Sequence, residues 1–179
     1  MKQIKLFGLG GQGVVTAAKV FAEAAAIGEG KYAQAIPAYG HERRGAPVYA
    51  DLMVSDDPIK VKSFVYEPDY VVIFDLAVID KGVDVMVGTK PNTIFIINSA
   101  CLLPEYPFAK HEVHYVDAKQ IAIDTIGRDI PNSAMLGAMA GAGLVGIEAV
   151  MNALRKIFGK AGEVNADAAK KACDGLQKY

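Results

Sequence analysis

Apolar residues along this chain fall into short continuous runs, with stretches of helical period between them. That is the pattern of buried parallel strands joined by amphipathic helices. Residues 4–7 read as a first strand, 14–26 as a helix and 32–36 as a second strand that Pro37 ends, with Gly28-Glu29-Gly30 as the helix stop between them. Residues 48–54 alternate as a strand, Asp56-Asp57-Pro58 turns, and 61–65 return as its expected hairpin partner, an antiparallel edge. The runs 70–74, closing on Asp75, and 93–97, closing on Asn98-Ser99, have the composition of strands buried on both faces. A connecting helix is expected over 78–87, weakened by Gly82, and Pro104 and Pro107 mark a loop. Residues 112–116 form a final strand, and Asp117-Ala118 opens a helix running to about Gly127. Asn132-Ser133 caps a helix over 134–145, rich in Ala, Gly and Met, whose small residues suit close helix approach and burial. Two amphipathic segments, 147–158 and 165–177, close the chain. The expectation is one α/β domain over 1–179: a Rossmann-like, doubly wound, mostly parallel sheet with an antiparallel edge hairpin, in three layers.

Between the first strand and the first helix stands Gly8-Leu9-Gly10-Gly11-Gln12-Gly13. A glycine-rich turn feeding a helix N-terminus presents unpaired N–H groups and the positive end of the helix dipole, which suits a phosphate-bearing ligand. The same glycines can also serve a tight turn alone. A nicotinamide site would need a carboxylate at the end of the second strand, about 20 residues beyond the glycines. Pro37-Ala38-Tyr39 stands there instead, and Glu29 precedes the strand at the wrong end of the sheet.

Composition narrows the function. At 179 residues the chain holds one core. Hydrophobic residues make up 52% of it, and mean hydropathy is +0.21, so a partner is expected to cover some apolar surface. A net charge of −1 with scattered Lys and Arg leaves no basic face for nucleic acid. Cys101 and Cys173 form no C-x-x-C pair, so neither an iron–sulfur cage nor a zinc knuckle is spelled out. His111 and His114 lack a third ligand at metal spacing. No apolar run reaches the ~18 residues of a membrane span, and no leader-like run precedes the first strand, so a cytoplasmic chain is expected. No nucleophile is paired with a base, and no catalytic residue is assigned.

The segment Tyr39-Gly40-His41-Glu42-Arg43-Arg44-Gly45-Ala46-Pro47 gathers an aromatic ring, two guanidinium groups, a histidine and a carboxylate. Arginine forks suit carboxylate or phosphate, and a Glu42–arginine pair against another subunit is an equally good reading. With the glycine run and Asn132-Ser133-Ala134-Met135-Leu136-Gly137, this segment closely resembles the gamma subunit of 2-oxoacid:ferredoxin oxidoreductases, in order along almost the whole chain. The most specific part is Y-G-x-E-x-R-G at 39–45. Many members carry proline where His41 stands and some a second glycine where Ala46 stands. The Arg43-Arg44-Gly45-Ala46-Pro47 form looks more like pyruvate or branched-chain members than 2-oxoglutarate ones.

The resemblance implies a subunit of an enzyme that converts a 2-oxoacid and coenzyme A to acyl-coenzyme A and carbon dioxide while reducing ferredoxin, or runs in reverse. It implies alpha, beta and delta partners, with thiamine diphosphate, magnesium and the iron–sulfur clusters on those chains. For this chain it implies assembly and coenzyme A binding. The site residues expected on that basis are Gly8, Gly10, Gly11, Gln12, Gly13, Tyr39, Glu42, Arg43, Arg44 and Gly45, with polar contacts from Asn98 and Ser99. Asp75 either faces the ligand edge or caps the following helix. The glycine run alone also fits a free-standing nucleotide-binding oxidoreductase, and the apolar content a non-catalytic assembly subunit.

Overall fold

The computed structural model describes residues 1–38 and 43–179. Seven strands form one sheet in the order β2-β3-β1-β4-β5-β6-β7: β1 Lys2–Leu9, β2 Tyr32–Pro37, β3 Pro47–Ser55, β4 Tyr70–Ile73, β5 Ile94–Asn98, β6 Glu112–Val116 and β7 Gln177–Lys178. β1, β4, β5 and β6 pair in parallel, while β3 runs antiparallel between β1 and β2, and β7 antiparallel to β6. Five strands therefore share one direction, the α/β arrangement expected from the continuous apolar runs.

The two faces of the sheet differ. Ile4, Leu6, Val72, Phe74 and Ile96 point to a core shared with helices α1 (Val14–Glu23), α3 (Ala118–Ile126), α4 (Asn132–Gly141), α5 (Ile147–Phe158) and α6 (Gly162–Asp174). Alternate residues Phe7, Val71, Ile73, Phe95 and Ile97 point to a second core. Irregular chain and one four-residue helix, α2 (Ala77–Asp80), cover that face, and Phe108 stacks on Phe95 at 4.8 Å between ring centroids. α4 is buried continuously from Asn132 to Met139, and so has no polar face. Gly137 makes that possible: a Cβ there would collide with the Ala169 carbonyl of α6.

Several expectations need correction. Residues 61–65 form no strand, because β1 and β2 already occupy both edges of β3. The segment is held instead by a buried ion pair. Asp51 accepts from Lys5 Nζ at 3.1 Å and from the Val65 N–H at 2.8 Å, and Lys5 also donates to the Val65 carbonyl. The helix expected over 78–87 stops at Asp80, since Gly82 adopts a left-handed φ of +81°. The helix expected over 14–26 is α-helical to Glu23 and then widens into a π turn, Ala24–Gly28, where Gly28 packs on Ala149 of α5. Asn132-Ser133 lies inside α4 rather than capping it, and the helix ends at Gly141 rather than 145. α6 begins at Gly162 and ends at Asp174. β7 was not expected. Asp117 caps α3 by accepting from the Gln120 N–H, and Gly127 ends it at φ +75°, as expected.

Candidate functional site

Because β1 and β4 are parallel neighbours whose connections leave toward opposite sides of the sheet, the crevice at their C-terminal ends is the topological switch point, where α/β sheets receive ligands. The glycine run enters it. Gly8 continues the β1 ladder, and a Cβ there would press on Val14 and Phe74. Gly11 (φ +96°) and Gly13 (φ +76°) take left-handed conformations that disfavour any other residue, turning the chain into α1. No side chain caps α1. Among the described residues, the N–H groups of Gly11, Gly13, Val14, Val15 and Thr16 have no hydrogen-bond acceptor. Five acceptor-free donors and a helix dipole at one turn are an arrangement suited to an oxyanion.

The turn is fastened on both sides. Toward β3, Gly10 N–H donates to the Ala46 carbonyl (2.8 Å), Gly45 N–H to the Gly10 carbonyl (3.0 Å) and Ala46 N–H to the Arg43 carbonyl (2.9 Å). The antiparallel β1–β3 ladder, which ends at Leu9 opposite Pro47, carries the arginine segment onto the glycine loop. A Cβ on Gly10 would strike the Arg43 carbonyl, and one on Gly11 would reach Arg44 Cγ at 3.7 Å. Toward β4, Gln12 is committed at both ends: Oε1 accepts from the Leu9 N–H at 2.7 Å and Nε2 donates to Asp75 Oδ2 at 2.6 Å. Gln12 therefore holds the loop's shape through Oε1 and one of its two Nε2–H groups. Asp75 does both things foreseen for it, lying at the sheet edge and accepting the Ala77 N–H at the start of α2.

Asn98 also turns inward: Nδ2 donates to the Phe74 carbonyl and Oδ1 accepts from the Lys119 N–H, joining β4 to α3. Ser99 donates to the Cys101 carbonyl. Neither contributes a free polar group to the crevice. Tyr39 and Glu42, with Gly40 and His41, lie outside the described residues.

Glu29 stands at the opposite edge. Its Oε1 accepts from the Gly146 N–H ahead of α5, and its Oε2 lies 2.8 Å from Lys31 Nζ. Burial pushes the Glu29 carboxyl up, but hydrogen bonds from Lys31 and Gly146 outweigh it and hold the group below its ordinary value. It serves the fold and not a ribose.

Two clefts flank the glycine loop. One, of about 290 Å³, is lined by Leu9, Gly10, Val15 and Val48. The other, of about 490 Å³, runs from Gly11, Gly13 and Thr16 to Arg128, Asn132, Phe158 and Val164. Arg128 and Thr16 escaped the sequence reading. The one signal was a cation just past the Gly127 helix stop, which no motif connects to residues 8–13.

Residues 3–175 match the family model described as pyruvate ferredoxin/flavodoxin oxidoreductase. The chain belongs to that family. Within the pyruvate ferredoxin/flavodoxin oxidoreductases it is a gamma-type subunit, similar over its whole length to pyruvate synthase subunit PorC of Methanothermobacter thermautotrophicus (43% identical, covering 99% of this chain and 97% of that one). It is likewise similar to the common gamma subunit of the pyruvate/ketoisovalerate oxidoreductases of Pyrococcus abyssi (45% identical, covering 100% and 99%). The crystal structure of pyruvate oxidoreductase subunit PORC from Thermotoga maritima has the same fold, with a TM-score of 0.83 at 30% identity over 99% of this chain and 97% of that one. Among the described residues of this oxidoreductase subunit, no group of three His, Cys, Asp or Glu is placed to hold a metal ion, and no helix is long and apolar enough to cross a membrane.

Proposed function

We propose that this gamma-type subunit holds coenzyme A for a thiamine diphosphate-dependent 2-oxoacid:ferredoxin oxidoreductase and helps assemble it, while alpha, beta and delta chains make and break the bonds and pass electrons to ferredoxin. The observation that carries the reading is the set of acceptor-free N–H groups at Gly11, Gly13, Val14, Val15 and Thr16, at the sheet edge where α/β folds bind ligands. Coenzyme A brings several phosphates to such a cradle, and neutral backbone donors with a helix dipole stabilise them without a salt-forming side chain. The donor set here does not suit the other groups such an enzyme needs. Two widely separated free cysteines cannot cage a cluster, so the iron–sulfur chemistry is assigned to partner chains, where the family resemblance also puts thiamine diphosphate and magnesium. Exposed Val61, Phe64 and Tyr66, on the segment pinned by Asp51, fit a chain partly covered in an assembly.

The test uses the assembled complex. Gly11→Asp sets a negative charge at the turn, where a Cβ stands 3.7 Å from Arg44 Cγ, and Gly11→Ala reproduces the backbone strain at φ +96° without the charge. The Asp variant should raise the KM for coenzyme A by about tenfold over the Ala variant, as loss of a charge-assisted contact predicts, with the 2-oxoacid KM unmoved. Identical coenzyme A kinetics in the two variants would leave assembly as the chain's role and end the binding proposal.

A further inference from the structure

The connection from β3 to β4, residues 56–69, is long for a segment without helix or strand, and such connections usually carry function. The chain bends at 56–57 and again at 66–67 and runs unbent through 58–65. Burial along it has the period of a strand: Ile59 and Ser63 are half-buried and Val65 is buried, while Lys60, Lys62, Phe64 and Tyr66 are exposed. Val61, between the two lysines, is exposed as well. Ile, Val and Phe suit a pleated backbone. Yet from Ile59 to Phe64 no backbone N–H or C=O has a hydrogen-bond partner among the described residues. The stretch is tied down only where it ends, at Val65, by Asp51 and Lys5. It therefore displays a strand-forming sequence with open hydrogen-bonding edges.

Its charges are open too. Among the described residues, no carboxylate lies within ion-pair distance of Lys60 or Lys62. Asp56 spends its charge on Lys31, and Asp57 and Glu67 stand at the two bends outside the stretch. A second copy of this chain is a poor occupant. In an antiparallel pair with Val61 on the two-fold axis, Lys60 faces Lys62; with Lys62 on the axis, it faces itself. Like charges directly opposite each other are destabilising. Lysines on an open edge turn away strands at large, and the same charges draw an acidic one.

We propose that residues 59–64 are a docking strand for an extended, acidic segment of a partner protein chain in the assembly. The segment pairs with their backbone, sets carboxylates against Lys60 and Lys62, and lays apolar side chains on Phe64 and Tyr66. This rests on the assembly part of the reading above and is independent of coenzyme A binding.

Hydrogen exchange of the isolated chain and of the assembled complex tests it. Amides 59–64 should exchange freely in the isolated chain and at least about tenfold more slowly in the complex. Dissociation of the complex on dilution, followed by sedimentation, reads the contact through two kinds of variant. Val61→Pro removes a backbone donor and leaves the charges; the double variant Lys60→Glu, Lys62→Glu reverses the charges and leaves the backbone. Each should weaken association by about tenfold or more, the charge reversal most at low salt and Val61→Pro equally at all salt concentrations. The urea midpoint of the isolated chain should not move, since the Asp51–Val65 anchor is untouched. Fast exchange at 59–64 in the complex, or unchanged dissociation in both variants, would overturn the inference while assembly stands. An isolated chain that dimerises until Val61→Pro is introduced would make a second copy the occupant and overturn it as well. Failure of the parent chain to co-purify with any thiamine-binding chain would remove both this inference and the assembly reading.

Discussion

Gln12 is the residue whose replacement tests the architecture of the site most directly. It is half-buried, spans the switch point between β1 and β4, and makes one neutral hydrogen bond to the Leu9 N–H and one charge-assisted bond to Asp75. A neutral bond contributes roughly 1 kcal/mol net and one to a charged group about 1.5–3 kcal/mol. Partial exposure lets water replace part of this, so Gln12→Ala should cost about 2 kcal/mol. For a chain of this size that corresponds to a fall in Tm of about 4–8 °C. Gln12→Glu keeps an acceptor for Leu9 but sets a carboxylate against the carboxylate of Asp75. One of the two then takes up a proton more readily in the folded state than in the unfolded chain, so this variant's deficit should be largest at neutral pH and shrink as pH falls. Urea unfolding of both variants across pH, with a double-mutant cycle through Asp75→Ala, is the assay. A change below about 0.5 kcal/mol in Gln12→Ala, or a Gln12→Glu protein whose stability tracks the parent at every pH, would refute the idea that Gln12 holds the turn.

Three further outcomes are expected. Gly137→Ala should lower the urea midpoint by the equivalent of about 3 kcal/mol or prevent folding, because the new methyl meets the Ala169 carbonyl and not a side chain that can move. Asp51→Ala should cost about 3–5 kcal/mol, since it strands the Lys5 ammonium, whose side chain is 18% exposed; limited proteolysis should then cut within 58–65, which loses its anchor at Val65. The Glu112 carboxyl is held below its ordinary value, first by the Lys178 hydrogen bond and then by His114. A lowered folded value means this contribution is complete above the unfolded value, about 4.3, and fades as pH drops through the folded one. Protection factors of the Val113 and Tyr179 amides, which bridge β6 to the C-terminus, should fall below that range once the intrinsic pH dependence of exchange is divided out, and Glu112→Gln should abolish the step.

The parallel strands were legible because burial on both faces leaves a continuous apolar run, as at 70–74 and 93–97. The caps were legible where one residue decides: Asp117 and Gly127 bracket α3 as expected. The hairpin was not. Val61 and Val65 resemble a strand locally, but β3 already has β2, the strand before it, on one edge and β1, distant in sequence, on the other. β7 spans two exposed residues and carries no apolar signal. In the site, the glycine run spelled out its own turn, yet nothing in the order of residues places Asn132 or Arg128 beside Gly13; that comes from helices packing on helices. The structural bonds of Gln12 were hidden for the same reason. Its partner Asp75 is brought near only by strand pairing.

The bonds that fasten residues 10–12 to both neighbouring strands have a thermodynamic consequence. A socket already set before its guest arrives has little backbone freedom left to surrender, so capture should proceed with small entropic loss and without a slow isomerisation preceding it. Association would then be governed by diffusion and by the electrostatic pull of the helix tip, and would slow as ionic strength rises.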